Sequence, residues 1–152
     1  MREAVYGSAM IARVAVLLAF AATAAQAQVS ALSVEEVRAR LSDRTTLAGD
    51  GPDGWQVEYT APDGAVYQWQ PGDAPLEGRW SVREHNGETQ VCFTYPVERR
   101  IPGEEKCGDA AYPLGLKGKV AIETRQGDVF GLASGKAPPR TGGKPGWPRP
   151  GA

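Results

Sequence analysis

The sequence predicts a mainly β protein, a small antiparallel barrel or half-barrel with one short N-terminal helix. Three observations carry this. Apolar and polar residues alternate over short runs from residue 55 onward, the period of a half-buried strand. Glycine-bearing turn sequences separate those runs: Pro62-Asp63-Gly64, Asn86-Gly87 and Arg125-Gln126-Gly127, as hairpin loops do. One stretch, Ser33 to Ser42, repeats its apolar residues at helical spacing instead. Strands with one apolar face bury it by closing into a barrel or by stacking as two sheets. The helix is then expected to cover an open end or edge.

The chain opens on an address. Residues 10 to 27, MIARVAVLLAFAATAAQA, read as a secretory signal: Arg13, an apolar run from Val14 to Ala22, and the small-x-small pattern Ala25-Gln26-Ala27. The run is far shorter than the roughly 20 apolar residues of a membrane span. We therefore assign residues 1–27 to a signal peptide and expect a mature chain from Gln28, periplasmic or secreted, with no transmembrane segment. Met10 is a tidier start than Met1, because it brings Arg13 close to the N-terminus. No cysteine lies near the cleavage point to accept a lipid anchor.

Residues 28–135 are assigned to a single β domain. They hold 11 Lys/Arg and 17 Asp/Glu, a net of −6, which argues against a nucleic-acid partner. Residues 136–152, KAPPRTGGKPGWPRPGA, carry Lys136, Arg140, Lys144 and Arg149 without an acid, a net of +4. Five prolines, four glycines and a lone Trp147 bury too little surface to offset chain entropy, so this basic tail is expected to be disordered. It is either a basic tether for anionic lipid, peptidoglycan-associated polymer or an acidic partner, or a solubilising extension with no dedicated role.

The two cysteines, Cys92 and Cys107, are an even count in an exported chain and are expected to form a disulfide. There is no C-x-x-C pair and no zinc spacing.

Each element follows from local chemistry. Ser33 with Glu36 three residues on has the capping-box spacing, and Leu32 and Val37 take the staple positions. Val34, Val37 and Leu41 share one helical face over 33–42. A three-residue loop at Pro62-Asp63-Gly64 sets Tyr59 opposite Tyr67 and Val57 opposite Trp69, with Glu58, Thr60 and Gln68 on the other face. The Asn86-Gly87 hairpin pairs Val82 with Val91 and Trp80 with Phe93, leaving Cys92 on the opposite, outer face. A three-residue loop at Arg125-Gln126-Gly127 pairs Ile122 with Phe130 and Val120 with Leu132. The expected strands are 55–61, 65–70, 78–84, 89–95, 119–124 and 128–133, with room for another around 110–116. Cys107 is expected to pin the connection 96–106 over the outside.

Tyr59, Tyr67, Trp69, Trp80 and Phe93 form the candidate ligand-binding group, for an apolar or ring-shaped ligand. The competing reading is that they fill the interior of a small barrel. His85, the single histidine, sits beside a turn and excludes a histidine-rich metal site. Asp50-Gly51-Pro52-Asp53-Gly54 lacks the spacing and distal Glu of an EF-hand loop. Ser134 lies in neither a Gly-x-Ser-x-Gly elbow nor a P-loop. No catalytic residue, metal or cofactor is assigned.

The Leu-Ser-x-Glu-Glu-Val-x-x-x-Leu helix, Ala61-Pro62-Asp63-Gly64, Gly78-Arg79-Trp80-Ser81-Val82 and Val91-Cys92-Phe93 follow one another ahead of a second Cys. This order resembles a broad set of small exported proteobacterial proteins of unknown function, over about residues 31 to 110. The resemblance implies a lipocalin-like β domain in the periplasm. A fainter likeness, through Gly-x-Trp and the disulfide, is to periplasmic inhibitors of serralysin-type metalloproteases, which use an N-terminal segment to enter the protease cleft. Here Gln28 to Leu32 is the stretch ahead of the helix.

The expectation is therefore an exported, non-enzymatic β domain that binds a ligand, a cell-envelope component or a protein, with inhibition of an exported protease as the most concrete version. An envelope hydrolase is the rival, and it requires two acidic side chains facing one cleft. In the expected register Glu58 and Glu123 face outward. A third class is an envelope protein held by its basic tail.

Overall fold

A computed structural model describes residues 32–49, 54–96, 103–118, 121–139 and 144–149. The assigned signal peptide and the choice of start residue lie outside the described residues. The elements below all belong to the unit Ser33–Ala152.

Helix α1 spans Val34–Leu41, and its start is the expected capping box. The Ser33 hydroxyl accepts from the Glu36 N–H at 3.2 Å, and the Ser33 N–H donates to Glu36 Oε2 at 2.8 Å. These bonds hold the Glu36 carboxyl below its ordinary value. Val37 and Leu41 are buried, and α1 packs against two of the strands that follow, Leu76–His85 and Glu88–Thr94.

Seven antiparallel strands follow: β1 Arg44–Gly49, β2 Trp55–Thr60, β3 Ala65–Trp69, β4 Leu76–His85, β5 Glu88–Thr94, β6 Lys106–Asp109 and β7 Ala121–Gln126. They form one sheet in the order β6-β5-β4-β3-β2-β1-β7, curled into a half-barrel. The first two hairpins have the expected registers: Tyr59 opposes Tyr67, Val57 opposes Trp69, Val82 opposes Val91 and Trp80 opposes Phe93. Gly64 takes the left-handed φ of 86° that the three-residue loop needs.

The third hairpin does not form. β7 pairs with β1, placing Ile122 opposite Ala48, and the expected strand 128–133 is a turn followed by a 3₁₀ segment, Leu132–Ser134. Asp128 decides this. Its carboxylate accepts from the N–H groups of Leu132 and Ala133, both at 2.8 Å. Gly131 and Gly135 take left-handed φ values of 77° and 79° at its two ends. Local side-chain capping here outweighs the alternation of Phe130 and Leu132.

Strand β1 is absent from the expected set because two of its inward or half-buried positions are threonines, which hide the alternation. Thr45, Leu47 and Gly49 are nevertheless its buried positions. The further strand allowed at 110–116 is a run of turns. β6 lies just before it, and the Asp109 carboxylate accepts from the Ala111 N–H at 2.9 Å to end it.

The disulfide forms between Cys92 and Cys107. These residues are directly opposed on β5 and β6. Cys92 is on the sheet face away from Trp80, as expected. Residues 97–102 of the connection lie outside the described residues, but its end is corrected. From Lys106 it joins the sheet as an edge strand and does not run over the outside.

The largest correction concerns the faces. Ala65 opposes Arg79 and Gln68 opposes Leu76 across β3 and β4. Side chains alternate along a strand, so Trp80 shares a face with Val66 and Gln68 and stands opposite in sense to Trp69. The expectation that the apolar sides of all the hairpins turn to one interior fails. The connection 70–75 sets how one hairpin meets the next, and within-hairpin pairing says nothing about it.

Two apolar layers result. On the back face Leu47, Val57, Tyr59, Ala65 and Trp69 cluster with Phe130 and Leu132. On the inner face Val66, Trp80, Val82 and Val91 are buried. Trp80 Nε1–H donates to the Ala61 carbonyl at 2.8 Å. The Thr60 hydroxyl bonds the Leu41 carbonyl and ties the end of α1 to β2.

The tail expected to be disordered makes contacts over 144–149. Trp147 stacks on Phe130 with centroids 5.6 Å apart, and its indole N–H donates to Glu123 Oε2 at 2.8 Å. Arg125 lies 4.8 Å over its ring, and Lys144 pairs with Glu123. Trp147 and Lys144 together hold this segment against the back face, contacts that composition averages away.

Candidate ligand cavity

The inner face holds a cavity of about 960 Å³. Its floor is the polar side of three neighbouring strands: Thr46 and Ala48 of β1, Gln56, Glu58 and Thr60 of β2, and Gln68 of β3. Ile122 of β7 closes one flank, and Phe93 of β5 and Lys106 of β6 close the other. Strands at opposite edges of the sheet order thus wall one space, which is what the curl accomplishes.

The turns 110–118 complete the wall with Tyr112, Pro113 and Lys117. They are held in place on both sides. Lys117 Nζ sits 3.1 Å from Asp109 Oδ2 and 5.4 Å over the Tyr112 ring. A Cβ on Gly115 would touch Ile122 Cβ at 3.4 Å, so this turn abuts β7. The Ala111 N–H, with Lys117, keeps the Asp109 carboxyl low, and the Asp109 bond raises the Lys117 ammonium.

The central polar feature is Glu58. Tyr95 O–H donates to its Oε2 at 2.6 Å. Burial pushes the Glu58 carboxyl above its ordinary value, and the Tyr95 bond opposes that rise only in part. Burial raises the Tyr95 phenol as well, and the adjacent Glu58 charge adds to it. Burial favours the neutral form of a carboxyl wherever no cation compensates it.

Gly78 explains why Tyr95 reaches this position. It lies in β4 on the inner face, and a Cβ there would overlap the Thr94 carbonyl oxygen and come within 2.7 Å of Tyr95 Cδ1. A glycine inside a strand marks a close approach by another group. Here the Tyr95 ring lies against the bare β4 backbone, with its hydroxyl on Glu58. Phe93 runs parallel to it, with centroids 6.4 Å apart and planes within 5°.

Of the five aromatic residues in the candidate group, Phe93 alone lines this cavity. Trp80 is on the same face but buried. Tyr59, Tyr67 and Trp69 belong to the back face, within or packed against its cluster. The Tyr59 hydroxyl donates to Asp43 at 3.0 Å, and burial with that carboxylate pushes the phenol up to about 12. The five residues therefore do not converge on one site.

Glu58 faces inward, contrary to expectation, because the polar side of the β2–β3 hairpin is the concave one. Glu123 faces away from the cavity, as expected, toward Trp147 and Lys144. Sequence reasoning missed Glu58 and Tyr95. The signal that finds them is Gly78, read as a gap that a nearby aromatic fills. Glu104 also contributes to the cavity, from the exposed connection ahead of β6.

Cys92, Cys107 and Glu105 form a metal-sized cluster, but the disulfide occupies both sulfurs. Arg83 meets Glu105 at 2.9 Å in an exposed pair.

No family model matches the chain, and neither a curated protein nor a solved structure matches it significantly. Among the described residues, no helix is long and apolar enough to cross a membrane.

Proposed function

We propose that the protein is an exported, non-enzymatic binder of a small amphipathic ligand, seated in the half-barrel cavity. The observation that carries this reading is the composition of the cavity wall. Phe93, Tyr95, Pro96, Tyr112, Pro113 and Ile122 present apolar surface, while Glu58, Gln56, Gln68 and Thr46 converge on the floor. An apolar wall with a few convergent polar groups is the usual form of a small-molecule site, and its volume is in the drug-sized range. The disulfide supports an oxidising compartment, and with the leader-like sequence it favours export. The lipocalin-like likeness agrees with this use of a curled sheet.

The cavity can be closed without touching Glu58. Ala48 lines the floor from β1, so Ala48→Trp places an indole inside it. A neutral solvatochromic dye is expected to bind the wild type and to lose about tenfold or more of its affinity for the variant, since each buried aromatic contact it forfeits is worth roughly 1 kcal/mol or more. Fluorescence titration measures this, with circular dichroism showing that the variant is folded. Equal dye binding by both proteins would reject the cavity as the site.

One observation favours a second reading. Glu58 and Glu104 both line the cleft, the paired-carboxylate condition set for an envelope hydrolase. Glu104 is exposed at the rim and Glu58 sits on the floor, so binding ranks first. Release of soluble fragments from purified peptidoglycan by the wild type, lost in Glu58→Gln, would promote hydrolysis above binding.

A further inference from the structure

We infer that the cavity takes an organic cation, an ammonium group on an apolar or aromatic body, with the ammonium against Glu58 and the body against Phe93 and Tyr95. This inference rests on the cavity-binding reading above and deepens it.

The floor carries one acidic group, Glu58, among neutral side chains. Glu58 Oε2 is taken by Tyr95. Among the described residues no donor reaches Oε1. The side chains flanking Glu58 across the ladder are Thr46 on β1 and Gln68 on β3. Both carry acceptor oxygens and neither carries a charge. No cation among the described residues is paired with Glu58, and within those residues its charge is met by one neutral hydroxyl. A desolvated carboxylate in that state is costly. An incoming ammonium supplies the missing charge and up to three N–H donors for Oε1, Gln68 and Thr46.

The aromatic wall fits the same ligand. The parallel rings of Phe93 and Tyr95 stand beside the floor, and aromatic faces attract cations. The lysines of the lining are elsewhere. Lys106 is on the edge strand, opposite Phe93. Lys117 is committed to Asp109 and Tyr112. The carboxylate on the floor therefore disfavours an anionic head there.

Three isosteric probes separate the alternatives: naphthylethylamine, naphthylethanol and naphthylacetate, titrated calorimetrically into the full chain at about pH 8, where the amine is protonated. The wild type is expected to bind the amine about tenfold or more tighter than the alcohol, the scale of one charge-assisted hydrogen bond, and the acid most weakly. Glu58→Gln is expected to bring the amine down to the alcohol's affinity and to leave the alcohol unchanged. The wild-type ranking stands even if the variant fails to fold.

An alcohol that binds as tightly as the amine, an acid that binds tightest, or a Gln variant that keeps the amine preference overturns this inference and leaves the cavity reading standing. Failure of all three probes and of the neutral dye to bind removes both.

Discussion

Trp69→Ala is expected to cost about 3–5 kcal/mol of folding stability, the range for truncating a buried aromatic. Trp69 is 2% exposed on the back face, in one cluster with Leu47, Val57 and Leu132. Its indole N–H has no hydrogen-bond partner among the described residues. The loss therefore reports packing and the cavity left behind, with no hydrogen bond removed. A domain of this size has roughly 5–15 kcal/mol in total, so the variant should be close to the edge of folding. Urea unfolding gives the value from the shift in midpoint at constant slope. Leu76→Ala is the control. Leu76 is 37% exposed at the start of β4, and its truncation should stay within about 0.5 kcal/mol. Comparable losses for the two variants would show that the back face is not a sealed layer.

Reduction of the disulfide is the second large effect. Cys92 and Cys107 close a loop of sequence separation 15, and a cross-link of that span is worth about 3 kcal/mol in the chain-entropy model. For a domain near 100 residues each kcal/mol moves Tm by about 4–8 °C. Comparing oxidised and reduced wild type holds side-chain volume constant. β6 is a four-residue edge strand with β5 as its ladder partner. The turns that follow it carry Tyr112, Pro113 and Lys117 into the cavity wall. Hydrogen exchange should therefore accelerate first in 106–118, while β2 and β3 stay protected. Reduced protein with unchanged Tm and unchanged exchange in that segment would show that the bond does not hold the edge.

Much of this architecture is legible in local sequence. Ser33 and Glu36 mark the start of α1, Asn86-Gly87 marks a hairpin, and the pairing of Tyr59 with Tyr67 selects a three-residue loop. Such signals act over a few residues, where backbone chemistry has few alternatives. The errors arise where distance along the chain is longer. Alternation shows that Val57 and Trp69 share a face, but it does not show whether that face joins Trp80. β7 reads as half of a hairpin because Phe130 and Leu132 alternate. Asp128 then captures the backbone N–H groups of the turn, and β7 pairs with β1, more than seventy positions away in sequence.

The cavity was hidden for the same reason. Its floor consists of the polar positions of β1, β2 and β3, which strand reasoning assigns to solvent by default. A curled sheet reverses that assignment, because a concave polar face can be shielded from bulk water without being packed. Gly78 is the residue that points to it, since its missing Cβ makes room for the ring whose hydroxyl meets Glu58.

Carbon-detected NMR of the Glu58 carboxyl through a pH titration, assigned with Glu58→Gln, tests the placement on which the binding reading stands. Because burial raises the folded-state value, the folded protein holds this proton more tightly than the unfolded chain does. The stability it contributes is full below the ordinary value of 4.5 and is lost as pH rises through the raised one. The expected result is a Glu58 titration clearly above 4.5, with the unfolding free energy of the wild type falling across the same interval relative to that of Glu58→Gln. A Glu58 carboxyl that titrates at or below 4.5 would place it in open water, and there would be no shielded floor for a ligand to meet.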